Sequence, residues 1–61
     1  MKVKIKSFKG KLPNYLTEGK DYQVIVSDGK GFEILDDMDE WLYTRFEDSY
    51  FLNGGDWEIV E

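Results

Sequence analysis

The chain has 61 residues, carries a formal net charge of −5 and contains neither cysteine nor histidine. This composition excludes disulfide bonds and thiolate metal sites, and it removes the two side chains most used as nucleophile or base at neutral pH. We expect one non-enzymatic domain spanning residues 1–61, with no metal and no cofactor. A secreted domain this small would usually carry disulfides, so we expect a cytoplasmic location.

Aromatic side chains are expected to supply much of the buried apolar area in so short a chain. A domain of about 60 residues buries only about 60% of the surface that its unfolded chain exposes, so each large apolar side chain matters. Four Phe, four Tyr and two Trp supply much of that area. At the start of the chain, Lys2, Lys4 and Lys6 interrupt the apolar residues. The sequence therefore predicts neither a signal peptide nor a membrane span.

Short runs of β-branched and aromatic residues, separated by glycine, aspartate, asparagine and proline, are typical of an all-β domain. The sequence predicts one helical turn within residues 47–52, a tight turn at residues 27–31 and a polar turn at residues 36–40. The five predicted strands cover residues 2–8, 22–26, 32–35, 41–46 and 57–60. This layout predicts a small, five-stranded, partly open barrel with the helical turn before its last strand.

The alternation of apolar and polar residues along these runs predicts which side chains point into the barrel. Tyr15 and Leu16 are expected to plug the barrel from the long loop before the second strand. The predicted core consists of Val24, Ile34, Leu42, Phe46 and Ile59, with Val3, Ile5 and Phe32 beside them.

Two segments resemble parts of SH3-like domains. Residues 16–25 read LTEGKDYQVI, which is similar to the point where SH3-like domains leave their long first loop and enter the second strand. Residues 35–41 read LDDMDEW, which looks like the acidic turn and return strand of the same fold. The short, acidic, cysteine-free form also resembles small SH3-like proteins encoded by bacteriophages and prophages. This resemblance implies an SH3-like barrel that acts as an accessory protein in the cytoplasm of a host cell.

The resemblance does not extend to the eukaryotic SH3 domains that bind peptides. The chain has no Ala-Leu-Tyr-Asp-Tyr run and no proline before a final tyrosine. Binding of proline-rich peptides is therefore not implied. Fold alone does not define function in any case, so the function has to be argued from particular residues.

The densest acidic cluster comprises Asp36, Asp37, Asp39 and Glu40. It lacks the glycine and the alternating spacing of a calcium-binding loop, so we do not expect a metal site there. One interpretation is a solvated turn whose charges prevent edge-to-edge association. The other is a docking site for a basic partner.

Trp41, Tyr43 and Arg45 alternate with Leu42 and Thr44 along the fourth predicted strand. If the latter two point inward, the first three share the outer face, and they are residue types that dominate interface hot spots. Alternatively, the rings cover the open side of the barrel. The assignment depends on register, because a slip of one residue would exchange the two faces.

Basic residues concentrate at the start of the chain. Residues 1–20 contain six lysines and one glutamate, whereas residues 21–61 contain twelve acidic residues and only two basic ones. We expect a row of lysines on one face of the first strand: Lys2, Lys4 and Lys6, with Lys9 and Lys11. Such a row could contact phosphates. It could equally protect an exposed strand from aggregation while the acidic remainder of the chain balances its charge.

These patterns favour a protein-interaction module that docks on a host factor through its acidic and aromatic surface. A sharper form of this hypothesis is DNA mimicry, in which carboxylates occupy a basic groove of the partner. The alternative is a nucleic-acid-binding barrel that uses the lysine-rich strand. The sequence leaves open whether the protein partner is a host protein or a second copy, and it indicates no membrane contact.

Overall fold

The computed structural model of the chain, residues 1–61, contains six β-strands and one 3₁₀ turn. In chain order they are β1 (Lys2–Ile5), β2 (Tyr22–Gln23), β3 (Val26–Ser27), β4 (Gly31–Leu35), β5 (Trp41–Arg45), the 3₁₀ turn η1 (Tyr50–Leu52) and β6 (Trp57–Ile59). A loop from residue 6 to residue 21 separates β1 from β2. The 3₁₀ turn lies within the predicted residues 47–52 and before the last strand, as predicted.

The strands form two three-stranded antiparallel sheets, with strand orders β2-β1-β6 and β3-β4-β5. The second predicted strand joins them, although it is interrupted at Val24 and Ile25. The Val24 N–H donates to the Met1 carbonyl at 2.9 Å, and the Ile25 N–H donates to the Glu33 carbonyl at 2.9 Å. This bent segment therefore lies between β1 and β4, and the strands follow the order β6-β1-β2/β3-β4-β5. The predicted all-β, partly open barrel is confirmed.

The opening of the barrel lies between β5 and β6, and hydrogen bonds narrow it at one end. The Trp57 N–H donates to the Phe46 carbonyl at 2.8 Å, and the Ser49 N–H donates to the Gly55 carbonyl at 2.8 Å. Gly55 must be glycine here, because a Cβ atom would clash with the backbone of Ser7. No strand pairs with the other side of β5 from Trp41 to Arg45.

The core confirms most of the predicted inward residues. Val3, Ile5, Phe32, Ile34 and Leu42 are buried, and Leu16 plugs the barrel from the long loop. Val24, Phe46 and Tyr15 are half-buried and pack against this cluster.

The prediction for Ile59 is wrong, since its side chain is 58% exposed. Its alternation was assigned correctly, because it lies opposite Val3 in the β1–β6 register. However, β6 has only one neighbouring strand, and Ile59 is its last residue, so little of the barrel covers it.

The core residue that β6 contributes is Trp57, and not Ile59 as predicted. Its ring meets Tyr22 and Phe32 edge-on, with centroid distances of 5.9 and 5.4 Å. Its indole N–H donates to the hydroxyl of Ser49 at 3.2 Å, and Ser49 shares a 2.5 Å hydrogen bond with Thr44. Tyr22 and Leu52 complete the buried cluster. Every buried side-chain polar atom has a partner, as a low-dielectric interior requires.

The first strand is shorter than predicted. It ends at Ile5 because Lys6 and Ser7 both turn their N–H groups to the Asp56 carbonyl, at 2.9 and 3.1 Å.

The structure contains no helix that is long and apolar enough to cross a bilayer.

Ile34 and Ile59 offer a matched test of this core. Ile34→Ala should lower the free energy of unfolding by about 2–5 kcal/mol, because it leaves a cavity in a fully buried site. Ile59→Ala should cost less than about 1 kcal/mol, because most of the side chain is already in water. Urea denaturation of both variants measures the difference. Equal losses would contradict the assigned core.

Candidate partner-binding surface

Strand β5 divides its side chains between the core and the solvent. Leu42 and Thr44 are buried, whereas Trp41, Tyr43 and Arg45 are exposed. Trp41 is 60% exposed and Tyr43 is 51% exposed. The predicted register of this strand is confirmed.

The same three residues form a free backbone edge. At one end of the β4–β5 ladder the Phe46 N–H donates to the Lys30 carbonyl, and at the other end the Asp36 N–H donates to the Glu40 carbonyl. In an antiparallel ladder the bonded pairs alternate, so the even-numbered residues of β5 face β4. The backbone groups of Trp41, Tyr43 and Arg45 therefore point away from the sheet, and no turn, loop or side chain hydrogen-bonds to them.

A shallow cleft of about 370 Å³ runs beside β5. Tyr15 from the long loop and Phe51 from η1 form its other wall, with ring centroids 6.4 Å apart in an edge-to-face arrangement. Its lining is mostly apolar and comprises Tyr15, Met38, Trp41, Leu42, Tyr43 and Phe51, with Asp36 and Glu40 at one end. A second depression of about 250 Å³ shares Tyr15 and Phe51 and includes Tyr50, which is 85% exposed.

Tyr43 and Trp41 differ in how firmly they are held. The Tyr43 hydroxyl donates to Asp28 at 2.7 Å. The end of the Tyr43 ring lies where a Cβ at position 31 would be, which explains why this β4 position, opposite Arg45, is glycine. The hydrogen bond to Asp28 raises the pKa of Tyr43, and it is the main reason that the pKa of Asp28 is lowered. No hydrogen bond or aromatic pair restrains Trp41, so its ring is the more available of the two.

The four acidic residues after β4 play different roles. Asp36 closes the turn, since its Oδ1 accepts the N–H groups of Met38 at 2.8 Å and Glu40 at 3.1 Å. Asp39 adopts a left-handed backbone conformation with φ of 59°. The carboxylates of Asp39 and Glu40 are exposed and form no ion pair. No group of three acidic side chains is placed to hold a metal ion.

Asp37 joins the turn to the long loop. Its Oδ1 accepts from Lys20 Nζ at 2.6 Å and from the Tyr22 hydroxyl at 3.0 Å, while its Oδ2 accepts from the Thr17 hydroxyl at 2.6 Å. Only 20% of its side chain remains exposed. The sequence grouped Asp37 with the partner-binding acids, but the structure commits its carboxylate to the fold.

The electrostatics of this site follow from the same contacts. Partial burial raises the pKa of Asp37, but the hydrogen bonds from Lys20, Thr17 and Tyr22 outweigh this effect, and the net pKa is lowered. The hydrogen bond to Asp37 raises the pKa of Lys20, and burial raises that of Tyr22. All three groups are therefore held in their usual ionisation states near neutral pH.

The Asp37 contacts also shape the cleft. The Asp37 backbone N–H donates to the Tyr15 carbonyl at 3.0 Å, and the Tyr22 hydroxyl accepts the Thr17 N–H at 2.8 Å. These bonds hold the end of the long loop against the 36–40 turn. Tyr15 is thereby placed to form the far wall of the cleft.

The lysines predicted to line one strand face are dispersed. Lys2 and Lys4 share a face of β1, and they pair with Glu61 at 3.9 Å and Glu58 at 3.7 Å. The other three, Lys6, Lys9 and Lys11, lie beyond the end of β1, in the long loop. β1 is the central strand of its sheet, so its lysines do not protect a sheet edge.

Comparisons with models of protein families, with curated proteins and with solved structures find no match.

Part of this surface was not predicted from the sequence. Tyr15 was assigned only as a plug, and neither Met38 nor Phe51 was considered as a binding residue, yet all three line the cleft. An aromatic residue directly after a turn-forming Pro13-Asn14 pair was the available signal for Tyr15. No local pattern distinguishes Phe51, because its role depends on the packing of η1 beside β5.

Asp37→Asn tests the contacts between the turn and the loop. At pH 7 it should lower the free energy of unfolding by about 1.5–3 kcal/mol, the range for hydrogen bonds to a charged group. Because the folded pKa of Asp37 lies below the unfolded value of about 3.9, this stabilisation is complete above the unfolded pKa. It is lost as the pH falls through the folded pKa. Urea denaturation at several pH values should show the difference between the two proteins shrinking in acid.

Asp39→Asn is the matched control for this experiment. Asn tolerates the left-handed conformation at position 39, and the Asp39 carboxylate forms no ion pair that the substitution would remove. Its effect should stay within about 0.5 kcal/mol at each pH. A loss equal to that of Asp37→Asn would show that general charge, and not the contacts of Asp37, is responsible.

Proposed function

We propose that this chain is a non-enzymatic protein-interaction module whose binding surface is β5 with the adjoining cleft. The observation that carries the proposal is the exposure of Trp41 beside an apolar cleft and an unpaired strand edge. Large rings with no intramolecular partner cost free energy in water, and they act as anchors where a partner covers them.

The charges around the cleft favour a basic partner. Asp39 and Glu40 keep free carboxylates beside Trp41, and the chain as a whole carries a net charge of −5. Such a field speeds encounter with a positively charged surface, and the aromatic area then supplies affinity. DNA mimicry has less support, because Asp36 and Asp37 use their carboxylates within the fold.

The resemblance to phage and prophage SH3-like proteins supports an accessory role in a host-cell cytoplasm, with a host protein as partner. Nucleic-acid binding remains the alternative, and it has less support from the lysines: two of them face glutamates and the other three lie in the long loop. If the chain bound nucleic acid and its affinity fell steeply with added salt, as expected for contacts with phosphates, that alternative would be favoured.

Trp41→Ala is the direct test of this surface. The variant should fold normally, because the ring is mostly in water, yet it should lose partners that the parent captures from a bacterial lysate. Ile59→Ala is the control, since it removes an exposed apolar side chain from the other sheet. Equal capture by all three proteins would contradict the proposal. If Trp41→Ala unfolded the domain, the ring would be structural and not a binding residue.

A further inference from the structure

We propose that the free edge of β5 binds an extended peptide segment of the partner as an additional antiparallel strand, with a lysine or arginine near the C-terminal end of that segment. This inference rests on the proposed function and specifies the form and charge of the partner.

The first observation is the unpaired backbone of β5. Trp41, Tyr43 and Arg45 direct their N–H and C=O groups away from β4. Exposed sheet edges are normally blunted by charged side chains, by proline, by a bulge or by shortness. Within β5 the one charged side chain is Arg45, at the last position of the strand. At five residues β5 ties with β4 as the longest strand, it pairs with β4 without a bulge, and it contains no proline. This edge therefore offers hydrogen bonds to an incoming strand.

The second observation is the shape beside that edge. The cleft lies between β5 and the wall formed by Tyr15 and Phe51, and beyond Arg45 the Trp57–Phe46 hydrogen bond narrows the barrel opening. A single extended chain fits between such walls more readily than the edge of a second barrel. Side chains of that chain would alternate between the outer face, where Trp41 lies, and the interior of the cleft.

The third observation is the polarity along β5. Asp39 and Glu40 keep free carboxylates at the N-terminal end of the strand, where Glu40 lines the cleft, whereas Arg45 stands at its C-terminal end. All pairings in this barrel are antiparallel. An antiparallel segment would place its C-terminal end beside the acids, which gives a basic residue there a partner and sets the direction of binding.

The experiment uses the whole chain and synthetic peptides with blocked termini. The probe is a nonapeptide whose first seven residues are valine, threonine and tyrosine in repeating order and whose last two residues are lysines. One control peptide carries the two lysines at its N-terminal end, and a second is N-methylated at alternate residues so that it cannot pair as a strand. Titration followed by NMR should show binding of the probe, with both controls about tenfold weaker or worse.

Amide hydrogen exchange shows directly whether a strand has been added. In the free protein the amides of Trp41, Tyr43 and Arg45 should exchange faster than those of Leu42 and Thr44. The probe should slow the first three by tenfold or more at saturation. Binding without this protection would overturn strand pairing, while the surface proposed above would stand.

Tyr43→Pro and Tyr43→Ala form a matched pair of protein variants. Both remove the ring, but only proline removes the N–H group, which the fold itself does not use. The proline variant should bind the probe at least about tenfold more weakly than the alanine variant. Equal affinities would contradict the proposal, and the exchange measurement on the parent protein decides the question if either variant unfolds.

Two further outcomes separate this inference from the proposed function. If no peptide binds but a lysate protein is still captured in a Trp41-dependent way, the strand model fails and the interaction module remains. If the three edge amides become protected with rising protein concentration and no peptide, the occupant is a second copy, and the peptide model is overturned.

Discussion

The carboxylate of Asp37 is the constraint on which the proposed binding surface depends. The loop from residue 6 to residue 21 contains no strand or helix, so it needs side-chain contacts to hold one conformation. At one end Asn53 donates to the carbonyls of Lys9 and Lys11, and at the other end Asp37 gathers Thr17, Lys20 and Tyr22. Burial of Leu16 adds an apolar anchor between them. Without Asp37, the loop loses the contacts that place Tyr15 beside β5.

Along β5, residues that pack in the core alternate with the residues that we propose to bind a partner. The even-numbered residues of β5 face the core, where Leu42 packs and Thr44 hydrogen-bonds to Ser49 beneath the indole of Trp57. The odd-numbered residues carry the exposed rings and the free backbone edge. In a chain this small, substitutions on the exposed face can therefore change binding with little effect on the core, which makes the surface experimentally separable from the fold.

Local alternation explains how much of this structure the sequence could predict. Strands β1, β4 and β5 follow from period-2 patterns, and so does the exposure of Trp41, Tyr43 and Arg45. Alternation does not show where a sheet ends, so Ile59 was placed in the core and the interruption at Val24 and Ile25 was missed. Nor does it separate four neighbouring carboxylates: Asp37 differs from Asp39 through contacts with residues 15 to 20 positions away. The long-loop wall of the cleft was unpredictable for the same reason.

Residue-specific amide hydrogen exchange in Asp37→Asn under native conditions tests directly whether the Asp37 carboxylate holds the long loop in place. The amides of Leu16, Thr17 and residue 37 should lose most of their protection, because the loop opens locally once the carboxylate is gone. The amides of Phe32, Ile34 and Thr44 should keep the protection that the remaining global stability allows. If the loop amides stay as protected as those of the strands, Asp37 does not hold the loop, and the origin of the cleft must be sought elsewhere.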